Sequence, residues 1–190
     1  MLAFLDRNLR FWHVVGLNGA AIAWFAGMTI ASQMALPNVS LSRCPIGFCA
    51  TGYSADRVNL MLRVIGPDGR TFLEETLLPL DRVLPMLLLV ALGATYAWLT
   101  RPGADWTVPL EPKYRYMLLA VPLFYCVADL CENRAFAQML ASFPQIGYRE
   151  VRTASIFTSL KSQLIAASLG IAMALAIVAW VNARRSGKDG

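Results

Sequence analysis

The chain has 190 residues, of which 57% are hydrophobic and only 15% charged. A soluble domain carries about 45–50% apolar and about 25% charged residues, so an ordinary water-soluble fold is excluded and one integral membrane domain over residues 1–190 is expected. The net charge of +5 gathers at the ends of apolar blocks and forms no stripe, so membrane lipid is an expected partner and nucleic acid is not.

Asp6, Arg7 and Arg10 precede the first apolar stretch, about Val14 to Ala35. This is longer than a signal-peptide core of about 7–15 residues, and no small-residue cleavage site follows, so it reads as a retained helix. The first span is predicted over about 13–36. Gly19, Ala23 and Gly27 recur every four residues along it, a spacing that lets another helix backbone come close. Pro37 ends the span, and a loop over about 37–82 follows, beginning with an irregular segment that holds Cys44 and Cys49. Ser54 reads as the N-cap of an amphipathic helix, with Val58, Met61, Leu62 and Ile65 at helical spacing. Gly66-Pro67-Asp68-Gly69 is predicted to turn, and Thr71-x-x-Glu74 to open the next helix as a capping box. The second span is predicted over about 83–99, with Pro79 and Pro85 near its start as potential bends.

Arg101-Pro102-Gly103 closes that span, and Trp106 and Tyr114 suit interfacial anchors. The third span is predicted over about 114–140 with Pro122 inside it, and the fourth over about 155–181. Ala166, Gly170 and Ala174 give the fourth span a second small-residue stripe. The expected fold is all-α: a four-helix transmembrane bundle with an ordered helical loop outside. Arg7, Arg10, Arg101, Lys113, Arg115, Arg184, Arg185 and Lys188 fall in segments that an even number of spans puts on one side. By the positive-inside rule that side is cytoplasmic in a cell inner membrane, with both termini there; Arg149 and Arg152 count mildly against it.

The third span carries the main chemical signal, Asp129-Leu130-Cys131-Glu132-Asn133-Arg134. Asp129, Glu132 and Asn133 stand at i, i+3 and i+4 and share a helix face. A carboxylate at this depth costs about 2.5–3.5 kcal/mol to insert, so the face should point into the bundle and be paired. An antiparallel hairpin centred near Gly147 sets Glu132 level with about Ser162, which makes Lys161 its expected partner, with Arg134 nearby. Such a network either pins the third span to the fourth or forms a polar site for a lipid headgroup, a proton or a small substrate. Asp81 and Arg82, at the outer end of the second span, read as an interfacial charge pair or as neighbours of this cluster.

Cys44 and Cys49 are read as a disulfide closing a tight outer loop or as two free thiols; their C-x4-C spacing differs from the C-x-x-C of redox catalysts. Cys126 and Cys131 read as buried thiols. His13 is the one histidine, which excludes a two-histidine haem site and makes a multi-histidine zinc site a poor expectation. No glycine-rich phosphate loop, arginine ladder, filter-like repeat or inverted half appears, and no cofactor or metal is expected.

Tyr53-Ser54, Gly66-x-x-Gly69-Arg70 and Asp81-x-x-x-Pro85, with Pro122 and Asp129-x-x-Glu132-Asn133, resemble the pattern of a group of small four-span bacterial membrane proteins without an assigned function. The resemblance covers roughly residues 53–136, and Cys44 and Cys49 lie outside it. It implies that the outer turn and the acidic helix belong to one arrangement, and it brings no activity. The leading expectation is a non-catalytic accessory or interaction subunit, or a binder of a lipid-like ligand, that uses the third span. A partner membrane protein would meet it along the first-span stripe. The alternatives are a small enzyme or proton-linked carrier using Asp129 and Glu132, and an outer thiol–disulfide protein using Cys44 and Cys49.

Overall fold

The computed structural model describes residues 6–36, 53–103 and 106–186. The chain is an all-α bundle, with no strand among the described residues and with four helices long and apolar enough to cross a membrane. These are α1 (Phe11–Ala35), α3 (Gly66–Leu99), α4 (Pro112–Ser142) and α5 (Tyr148–Ser186); the short α2 (Ala55–Val64) lies between the first two. At 1.5 Å per residue the 25 residues of α1 reach about 38 Å, enough for a hydrocarbon core of about 30 Å.

The four long helices pack in sequence. α1 lies against α3, α3 against α4, and α4 against α5, with α3 also touching α5. Polar side chains mark these seams. Asn18 donates to Thr95 Oγ1 at 3.0 Å and Trp24 Nε1 to the Leu80 carbonyl at 3.1 Å, joining α1 to α3. The Tyr96 hydroxyl donates to the Ser168 carbonyl at 2.7 Å, joining α3 to α5. At one end of the bundle Phe11 meets Trp98, and Asn182 donates to the Thr107 carbonyl at 3.0 Å. Both ends of the described chain and the α3–α4 connection therefore share this open end.

The opposite end is capped. Ser54 begins α2 as expected, its hydroxyl accepting from the Arg57 N–H. Val58 and Leu62, one turn apart, are fully buried against Leu73, Leu78, Ala135, Met139, Leu140, Val151 and Ala154. Removing this apolar surface from water holds α2 across the ends of α3, α4 and α5. Arg70 fixes the cap: its guanidinium donates to the Leu62 carbonyl at 2.8 Å and stacks over Phe143 at 4.5 Å.

The expected turn at Gly66–Gly69 and the capping box at Thr71 are corrected here. Gly66 takes φ +69°, ends α2 and reverses the chain alone; Pro67 then fills the first turn of α3, where a missing N–H costs nothing. Gly69 is already helical, and a Cβ there would lie 2.8 Å from the Ile65 Cβ. α3 therefore starts well before Thr71. Its two later prolines leave marks. Pro79 and Pro85 cannot bond the Glu75 and Asp81 carbonyls; a π turn at Leu73–Leu77 and a break at Arg82 absorb the loss.

Among the described residues neither small-residue stripe packs against another helix. Gly19, Ala23, Gly27, Ala166, Gly170 and Ala174 are all exposed. A Cβ built on Gly19, Gly27 or Gly170 would meet nothing within 4 Å. The buried face of α5 runs instead through Ala154, Thr158, Ser168 and Ala179. Small residues permit close approach without saying which neighbour makes it.

Candidate functional site

The acidic face of α4 turns inward because water is absent from the alternative side. Asp129, Glu132 and Asn133 are exposed by only 2%, 4% and 4%. α5 runs antiparallel beside them and presents Thr158 and Lys161, three residues apart on one face. Lys161 Nζ pairs with Asp129 Oδ1 at 2.6 Å and also with Glu132 Oε2. Thr158 donates to Glu132 Oε1 at 2.5 Å, and Asn133 donates to Asp129 Oδ2 at 3.4 Å. One ammonium thus bridges two acids, and each acid receives a second donor. In a low-dielectric interior this mutual satisfaction is what makes buried charges tolerable.

Other polar groups surround this core. Asp81 lies within electrostatic reach of Asp129 and Lys161 and beside the Asn133 amide. Tyr125, one turn before Asp129, feels the same four charged groups. The capped end closes the top. The Tyr53 backbone N–H donates to Ser155 Oγ at 2.9 Å, and its ring points down toward Thr158, Glu132 and Lys161. The apolar core around Leu62, Met139 and Ala154 separates the cluster from water on that side.

The phenol of Tyr53 is pushed up to about 12, mainly by burial and further by the Glu132 charge. Its hydroxyl is buried and has no hydrogen-bond partner among the described residues. A raised tyrosine favours the fold while neutral, and that contribution is lost as the pH climbs from about 10, the unfolded value, through about 12. Tyr53→Phe is therefore expected to leave stability at neutral pH within about 0.5 kcal/mol of the parent or slightly above it, since it removes an unpaired buried hydroxyl. Between pH 10 and 12 the variant should lose less stability than the parent, and unfolding curves at a series of pH values would read the difference.

The other predicted site residues go elsewhere. Arg134 is exposed and turns away from Asp129, Glu132 and Lys161. Arg82 is exposed too, so Asp81 and Arg82 part company, one toward the cluster and one outward. The two arginines come together instead along a groove of about 440 Å³. Cys44 and Cys49 lie outside the described residues. Cys126 is buried and Cys131 partly buried, both as free thiols.

Thr158 and Tyr125 were missed in the sequence, although each stands three or four residues from a residue of the cluster and so on the same face. Arg115 carries a second buried charge, at the open end. Its guanidinium forms two bonds to the Asp6 carboxylate, at 2.8 and 2.5 Å, and is 4% exposed. No sequence spacing links residues so far apart.

Comparison with protein-family models, with curated proteins and with solved structures gives no match. The site is therefore read from its own geometry.

Proposed function

We propose that the chain is a non-catalytic protein of the cell inner membrane, an accessory or interaction subunit with both termini cytoplasmic. The observation that carries this reading is the closure of the α4 polar face on Lys161. Asp129 and Glu132 are both committed to one ammonium, and Thr158 takes another Glu132 oxygen. Groups committed in this way hold helices together; an enzyme or carrier would need one of them free to meet a substrate. The orientation rests on Arg7, Arg10, Arg101, Lys113, Arg184 and Arg185 at the open end.

A specific observation favours the carrier reading as the alternative: Asp81 adds a third carboxyl beside a single lysine. Proton flux separates the two. Full-length protein in liposomes under a potassium diffusion potential is expected to pass no more protons than empty vesicles, as read by an internal pH dye. A flux abolished by Asp129→Asn would replace the accessory reading with the carrier.

The partner surface in this reading is the outer face of α1, where Gly19, Ala23 and Gly27 leave a path for a second backbone. A photo-crosslinker at Ala23 should give a discrete product in native membranes, and one at Ile177, exposed on α5, should not. Leucine at Gly19 and Gly27 should abolish the product while leaving thermal stability unchanged, because neither position is packed. Equal products from Ala23 and Ile177 would remove α1 as the partner face.

A further inference from the structure

The acidic side of α4 is closed, but its outer flank is not. Leu130, Arg134, Ala137 and Ala141 recur at i, i+4, i+7 and i+11, which makes one stripe along the helix. The small Ala137 and Ala141 leave a groove there, with Gln138 at its edge and Arg82 of α3 across it. Arg82 and Arg134 are both exposed, and neither forms an ion pair among the described residues.

The depth of these groups sets what can meet them. Arg134 is eight residues from the end of α4 at Ser142, about 12 Å along the axis. The 31 residues of α4 run about 46 Å, so a hydrocarbon core of about 30 Å centred on them ends some 8 Å inside each terminus. Arg134 thus stands about 4 Å below the core boundary, within the reach of its own side chain to the headgroup level. Below the two arginines the surface is apolar on both helices. Met86 and Val90 continue from Arg82 at one-turn steps on α3, and Leu130 and Val127 continue from Arg134 on α4, with Met86, Val90 and Val127 each about half exposed.

We propose that this groove is a binding site for an anionic phospholipid, its phosphate held between the Arg82 and Arg134 guanidiniums and an acyl chain lying along α3 and α4 toward the midplane. Charge complementarity selects the headgroup, since two unpaired guanidiniums at the interface make forked donors to phosphate oxygens. The apolar rails select a chain-bearing ligand over a free anion. Basic pockets between membrane helices recognise anionic headgroups in the same physical way. The site uses Arg134 from the acidic motif without using Asp129 or Glu132, so it stands or falls apart from the interaction reading above.

The other basic surface is less suited. At the open end Arg184 is already stacked on Trp180 at 3.8 Å, in a smaller site of about 390 Å³. It serves as the control.

The test uses delipidated full-length protein in detergent, titrated with dioleoylphosphatidylglycerol or dioleoylphosphatidylcholine, with the first bound lipid read by native mass spectrometry. The parent should prefer the anionic lipid. Each arginine near the surface contributes about fivefold, so Arg82→Gln with Arg134→Gln should lose up to about 25-fold of that preference. Lysine at both positions keeps the charge but loses the forked donors, and should keep a preference between those of the parent and the glutamine variant. Arg184→Gln with Arg185→Gln should lose less than half as much as the groove variant. Equal binding of the two lipids by the parent, or a control as damaging as the groove variant, would overturn the proposal. So would displacement of the lipid by glycerol phosphate at comparable concentration, which would mark a site for a free anion.

Discussion

Lys161→Met is expected to cost about 3–5 kcal/mol, the scale for removing one partner of a buried ion pair. Methionine nearly matches lysine in length and volume, so the loss is electrostatic. Asp129 and Glu132 would remain within α4, 2% and 4% exposed, without their cation. Thr158 and Asn133 would still donate, but neither carries charge. The contrast that isolates the cause is Asp129→Asn, Glu132→Gln and Lys161→Met together. That triple variant leaves amide and hydroxyl groups able to bond one another and should recover more than half of the loss, because an uncharged network has no ion to strand. Denaturant unfolding in micelles, followed through the five tryptophans, would measure both. A single variant within about 1 kcal/mol of the parent would mean that the acids reach water and that the cluster is no clasp. A triple variant as unstable as the single one would shift the cause from charge to packing.

The bundle and the pairing of Lys161 with the α4 acids trace to different signals in the sequence. The helices follow from apolar run lengths, and the short connections between the last three spans leave those little choice of neighbour. The acid–lysine contact follows from register, since a hairpin centred on Gly147 sets Glu132 level with Ser162, one residue from Lys161. What failed did so for physical reasons. Arg134 neighbours Asn133 in sequence, yet one residue turns a helix by about 100°, which carried the guanidinium to the outer flank. The proline-rich start of α3 reads as a turn and a break, but tertiary packing of Leu73 and Leu78 beneath α2 keeps it helical from Gly66. The small-residue stripes are a different case: they lie on the outside, where the first of them was expected to meet a partner. Composition marks where a backbone can approach; the presence of an approaching backbone depends on the rest of the assembly.

Asp6→Ala should cost about 3 kcal/mol, and the reason lies in how α3 ends. α3 stops at Leu99, so its last carbonyls have no helical N–H ahead of them. Arg115, from the first turn of α4, supplies one: its guanidinium donates to the Ala97 carbonyl at 3.2 Å and to Thr100 Oγ1 at 3.2 Å. The same guanidinium is neutralised by Asp6, whose side chain is 22% exposed. Removing Asp6 strands a buried cation that cannot lose its proton. Removing Arg115 instead releases a carboxylate on the terminal segment, which can turn to water, and leaves only the carbonyl unpaired; Arg115→Ala should therefore cost less, about 1–2 kcal/mol. This asymmetry distinguishes a buried cap from a surface salt bridge, where either truncation costs under about 1 kcal/mol. The Trp98–Trp106 pair, centroids 4.3 Å apart beside this contact, gives a local fluorescence signal for unfolding. Equal costs for the two variants would show that the pair acts through charge alone. A larger cost for Arg115→Ala would make the α3 cap, and not the burial of the cation, the dominant contribution at this end.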